Sequence, residues 1–88
     1  MVTISRNLKR LVYLISPNKI YPGFYIELNK VLASKNVSFF QLRLKKIKSK
    51  NLIKVANKIK KITLKHKVKF LINDDYKVAV KTKADGCH

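Results

Sequence analysis

The sequence predicts a parallel α/β fold assembled from successive strand–helix units. Two observations carry that prediction. Short apolar runs bounded by polar breaks alternate with segments whose apolar residues recur at helical spacing, giving the order β-α-β-α-β-α-β. The chain is also ordinary globular material, 47% hydrophobic with only 2 Gly and 2 Pro, which excludes a disordered or low-complexity tail. Its 88 residues make one small domain at most.

Residues 1–10 read as a basic amino-terminal extension carrying Arg6, Lys9 and Arg10. The first strand is Leu11 to Ile15, an apolar run stopped by Ser16-Pro17-Asn18, as expected of a strand covered on both faces. Basic residues before an apolar run resemble a secretion signal superficially. A secretory core needs roughly 7–15 apolar residues and a membrane span about 20, and no small-residue cleavage site follows. Export and membrane insertion are therefore not expected. Cys87 is the sole cysteine, which excludes a disulfide framework or a Cys-rich zinc site and favours a reducing cytoplasm.

After the loop from Asn18 to Gly23, Phe24, Leu28, Val31 and Leu32 form one stripe of a helix running to about Ser34. Val37 to Leu44 is the second strand, rich in β-branched and aromatic residues at its start. Ser49 is the expected N-cap of a second helix, along which Leu52, Val55, Ala56, Ile59 and Ile62 recur up to about Lys65. Val68 to Ile72 is a third strand, ended by Asn73-Asp74-Asp75. A short helix from Tyr76 to about Lys81 follows, and Ala84 to His88 begins a fourth strand. Units of about 25 to 30 residues suit the opening part of a (β/α)8 barrel and suit an open doubly wound sheet equally.

The net charge is +17, from 21 Lys+Arg against 4 Asp+Glu. A nucleic-acid binder would carry such a charge. The excess is nearly all Lys, however, and only Arg6, Arg10 and Arg43 offer the forked group favoured in base readout. Composition bias is the preferred reading, and nucleic acid is not the expected partner.

Chemistry in such folds gathers at the carboxyl ends of strands. Along the second strand, period two puts Gln41, Arg43 and Lys45 on one face and Phe40, Leu42 and Leu44 on the other. Inward-facing amide, guanidinium and ammonium groups need a partner, and an anionic ligand satisfies all three. Asn73-Asp74-Asp75 gathers hard oxygen donors in a chain poor in acids. Carboxylates together with substrate phosphates are the usual way Mg2+ is held. Asp74 is assigned to the metal and Asp75 to capping the helix that follows. His66 is read as a solvated residue at a helix end, and Cys87 and His88 as a weak nucleophile pair, since strand neighbours face opposite ways.

Together YLISP, FFQLRLK, FLINDDYKVAV and KADGCH resemble, in order and spacing, the amino-terminal half of the thiamine phosphate synthase family. The resemblance spans residues 11 to 88 and implies about three and a half βα units of a TIM barrel. It implies a Mg2+-dependent transferase that couples hydroxymethylpyrimidine diphosphate with thiazole phosphate and releases pyrophosphate. By position, Gln41, Arg43, Lys45 and Asn73 would bind the pyrimidine diphosphate. Arg43 and Lys45 would stabilise the departing diphosphate, and Asp74 would be one magnesium ligand. Leu44 stands where many members have Glu, on the side turned toward the helices. The family's motif continues past the His with Gly-Gln-x-Asp, so the isolated 88-mer is expected to be an inactive part of a barrel. Exposed sheet edges would then permit self-association. A thiazole tautomerase paralog is the nearest alternative, although it has no diphosphate to ionise; a small basic nucleic-acid-binding domain is the more distant one.

Overall fold

In the computed structural model, which describes residues 2–6 and 12–88, five strands pair into one sheet. Its strands are β1 (Val2–Arg6), β2 (Val12–Ile15), β3 (Phe39–Leu42), β4 (Lys69–Ile72) and β5 (Gly86–Cys87), and its helices are α1 (Phe24–Ala33), α2 (Ser49–Lys65) and α3 (Tyr76–Lys81). Strands β2 to β5 lie side by side in chain order and run parallel. β1 pairs antiparallel with β2, with an irregularity between Thr3 and Ser5. The sequence reading held residues 1–10 to be an extension, and a strand at Val2–Arg6 is an addition to it; residues 7–11, with the expected start of the first strand at Leu11, lie outside the described residues.

Sequential order separates the two architectures that periodicity left open. Each βαβ crossover here advances by one strand in the same direction, and crossovers share one hand, so the helices fall on one face of the sheet. A doubly wound sheet needs the order to reverse. This is the barrel pattern.

The burial agrees. One core joins Phe24, Leu28 and Leu32 of α1, Leu52, Ala56 and Ile59 of α2, and Val78 and Ala79 of α3 to Leu14, Phe40, Leu42, Phe70 and Ile72 of the strands. Phe24, Phe40 and Phe70 are fully buried and follow one another at centroid distances of 6.3 and 6.4 Å. Fully burying side chains of this size contributes roughly 1.5–3 kcal/mol each. No helix of the described residues is long and apolar enough to cross a membrane.

The helix ends show what local sequence does. Asp75 caps α3 as expected, its Oδ1 accepting from the Val78 amide at 3.0 Å. Ser49 does not cap α2. The cap is Lys48, whose side chain accepts nothing, and Ser49 is already helical. At the carboxyl ends Lys35, Lys67 and Lys83 adopt φ of 61°, 58° and 56°, a left-handed conformation usually given to Gly. His66 is the carboxyl cap of α2, and its Nε2 lies 2.6 Å from Asn29 Oδ1 on α1, so it ties two helices together instead of facing water alone.

Candidate functional site

The face of the sheet turned away from the helices carries Tyr13, Ile15, Phe39, Gln41 and Leu71, because these alternate with the core residues along each strand. Tyr13 and Phe39 are register partners and stack at 4.6 Å with planes 7° apart. Toward the carboxyl ends the same face opens into a hollow of about 550 Å3, lined by Tyr13, Ile15, Gln41, Arg43, Leu71, Asn73 and His88. Gly86 lets β5 approach there, since a Cβ at that position would stand 3.0 Å from Leu71 Cδ2.

The polar end of the hollow is held by the main chain. The Ser16 amide donates to the Gln41 carbonyl at 3.0 Å, and the Arg43 amide donates to Ser16 Oγ at 2.9 Å. The Asn73 amide donates to the Leu42 carbonyl at 3.0 Å. Asp74 sits in the left-handed region, φ 60°, which Asp tolerates better than most residues. Its amide donates to the His88 carbonyl and the His88 amide to the Ile72 carbonyl, both at 2.9 Å. The strand ends of β3, β4 and β5 are thereby laced together.

Three of the residues expected at the site, Gln41, Arg43 and Asn73, therefore share one hollow. Lys45 does not line it. It lines a neighbouring hollow of about 290 Å3 with Asn18, Lys19, Lys46 and Ile47. The reason is local: β3 ends at Leu42 and Lys46 turns left-handed at φ 54°, so strict alternation stops before residue 45. Asp74 is exposed beside the rim, where its Oδ2 accepts from Asn73 Nδ2 at 3.0 Å.

The charge distribution favours an anion. Gln41 is 8% exposed, and Arg43 has no ion-pair partner among the described residues, where the one salt bridge is Lys60 to Asp85 at 3.7 Å. Asp85 also accepts from the Phe70 amide at 2.7 Å. Glu27 accepts from the Tyr21 hydroxyl, a bond that raises the Tyr21 pKa above its ordinary value. Each of the four Asp and Glu side chains accepts a hydrogen bond from a group other than Arg43. For a metal, Asp74 supplies one hard oxygen donor, and no group of three or more His, Cys, Asp or Glu that could hold an ion occurs among the described residues. That set fits Mg2+ held by a carboxylate together with substrate phosphate oxygens, and does not fit an all-protein cage.

A family model described as thiamine monophosphate synthase matches residues 12–88, which takes in every strand and helix but β1. The chain belongs to the thiamine monophosphate synthase family. Among curated relatives, a thiamine-phosphate synthase of Pelagibacter ubique is 62% identical over 81 residues, which cover 91% of this chain and 39% of that protein. One of Clostridium tetani is 33% identical over 87 residues, covering 96% of this chain and 41% of that one. A solved structure of thiamine phosphate pyrophosphorylase from Pyrococcus furiosus superposes with a TM-score of 0.74 at 20% identity, over 85% of this chain and 36% of that one. The fold is that of the family's TIM-barrel-like enzymes. The chain spans about two fifths of the length of the curated relatives it matches.

Within that family frame, sequence reasoning missed Tyr13, Ser16 and His88. Tyr13 could have been found by carrying the alternation of β2 across to β3, since Ile15 pairs with Gln41. His88 lies two residues beyond Gly86 and so shares its face, a place that the reading of Cys87 and His88 as a weak nucleophile pair does not reach.

Proposed function

We propose that these strand ends form the diphosphate-recognising part of a thiamine phosphate synthase, coupling hydroxymethylpyrimidine diphosphate with thiazole phosphate and releasing pyrophosphate. The observation that carries the reading is the convergence of Gln41, Arg43 and Asn73 on one hollow, with no ion-pair partner for Arg43 among the described residues. Arg43 offers a forked pair of donors that matches phosphate oxygens, and Gln41 and Asn73 offer directional amides. Lys45 contributes a mobile charge from the adjoining hollow. The apolar wall of Tyr13, Ile15 and Leu71 suits the flat pyrimidine ring. Preorganised donors around a departing diphosphate are the kind of electrostatic term that usually dominates catalysis.

Asp74 would hold Mg2+ together with the diphosphate, and the ion would neutralise charge that builds on the leaving group. The single thiol Cys87 supports a cytoplasmic setting. The 88 residues by themselves are expected to bind the diphosphate without turning it over. Calorimetric titration with hydroxymethylpyrimidine diphosphate and Mg2+ tests this. Arg43→Ala should weaken binding at least about tenfold, the cost of one charge-assisted contact. Unchanged affinity would refute the diphosphate reading, and turnover by the 88-mer at rates typical of the family would refute only the expectation that these residues are inactive by themselves.

A further inference from the structure

In the sequence the segment Ser16-Pro17-Asn18 marks the break after the first strand, and its first two residues close the YLISP stretch. In the structure it runs beside Gln41 to Lys45 and bonds to the main chain of each predicted diphosphate-binding residue in that stretch. The Ser16 amide donates to the Gln41 carbonyl at 3.0 Å, the Arg43 amide to Ser16 Oγ at 2.9 Å, and the Lys45 amide to the Asn18 carbonyl at 3.2 Å. Only the middle bond uses a side chain. It bridges residues 27 apart in sequence, and the Ser16 hydroxyl that accepts it belongs to a buried residue, 5% exposed. The same hydroxyl donates to the Pro17 carbonyl at 3.1 Å, so its proton is committed and its lone pairs are aimed at Arg43.

Arg43 stands one residue past the end of β3, where no ladder bond would otherwise fix its amide. Its side chain is exposed and unpaired among the described residues, so the main chain is what sets where the guanidinium starts from. We infer that Ser16 is a positioning residue for the anion site, its buried hydroxyl fixing the Arg43 main chain and hence the direction in which the guanidinium meets phosphate oxygens. This rests on the reading of the hollow as a diphosphate site. An apolar side chain at position 16 would leave the Arg43 amide without its partner and let the end of the strand drift. Thr can supply the same acceptor, and Ala cannot.

The test uses the 88-residue chain with inorganic pyrophosphate and Mg2+ as the probe, measured by calorimetry. Ser16→Ala should weaken binding about three- to tenfold, the range expected for one neutral hydrogen bond acting through geometry. Ser16→Thr should restore it. In an Arg43→Ala background, Ser16→Ala should change affinity no further, because the hydroxyl acts only through residue 43; a merely structural role would add its own loss. If Arg43→Ala weakens binding and Ser16→Ala does not, the positioning role falls and the diphosphate reading stands. If Arg43→Ala leaves affinity unchanged, the diphosphate reading falls and the inference falls with it. Amide exchange in the unaltered chain gives a readout that needs no variant to fold. The Arg43 amide should be protected although it lies outside β3, and exchange at the rate of a free loop amide would overturn the inference.

Discussion

The same four parallel strands present two faces built to opposite ends. Toward the helices, Leu14, Phe40, Leu42, Phe70 and Ile72 are sealed in a core with α1, α2 and α3. On the other side, Tyr13, Ile15, Phe39 and Leu71 remain partly exposed and frame a hollow whose polar end is Gln41, Arg43 and Asn73. The core sits on one face and the proposed recognition site on the other, with successive residues of a strand serving each in turn. Phe40 and Gln41 are neighbours in sequence, yet one closes a core and the other lines the hollow.

Truncating the two faces should separate them most clearly. Phe40→Ala removes a fully buried ring and is expected to cost about 3–5 kcal/mol, comparable to all that a core of this size supplies, so far-UV circular dichroism should report an unfolded chain. Phe39→Ala, on the half-exposed face, should leave a cooperative urea transition. Equal losses would break the division of labour.

Asp85 supports the covered face by accepting from the Phe70 amide and pairing with Lys60, and both bonds are lost in Asp85→Ala. The expected cost is about 1–3 kcal/mol, read from the urea midpoint at unchanged slope. A shift indistinguishable from zero would remove Asp85 from the supports of β4 and β5.

Stabilisation is available where a lysine occupies the left-handed position after a helix. Lys67→Gly should raise stability by up to about 1 kcal/mol, since the Cβ penalty there outweighs the extra freedom gained by the unfolded chain. A lower thermal midpoint would contradict that.

The smallest expected effect is alkaline. The Glu27 hydrogen bond, then burial and the Glu27 charge, raise the Tyr21 pKa above 10.0. Its contribution is present below the unfolded value and lost as pH rises through the folded one, because the unfolded chain releases that proton first. Tyr21→Phe should therefore flatten the decline in stability above about pH 10. An identical decline in both chains would assign it to other groups.

Most of the fold is legible in the sequence because its signals are local. Apolar runs mark β2, β3 and β4, helical stripes mark α1 and α2, and Asp75 marks the start of α3. Alternation placed Gln41 and Arg43 on the face that carries the hollow, and Asn73 followed from its position at a strand end. What escaped depends on pairing or on where a strand stops. VTISR at Val2–Arg6 mixes polar and apolar residues too briefly to declare a strand before its partner is known. Lys45 left the expected face because the strand ended at Leu42, a boundary that periodicity does not mark. Ser16, Tyr13 and His88 matter only through neighbours on other strands, so no single segment announces them.

Residue-resolved chemical-shift mapping during a titration with pyrophosphate and Mg2+ tests the central claim most directly. The account predicts perturbations concentrated at Gln41, Arg43, Asn73, Asp74 and His88, at the carboxyl ends of the strands. Perturbations spread over the exposed lysines of α2, Lys54, Lys58 and Lys61, with the strand ends silent, would mean that the basic surface binds anions indiscriminately and that the hollow is not the site.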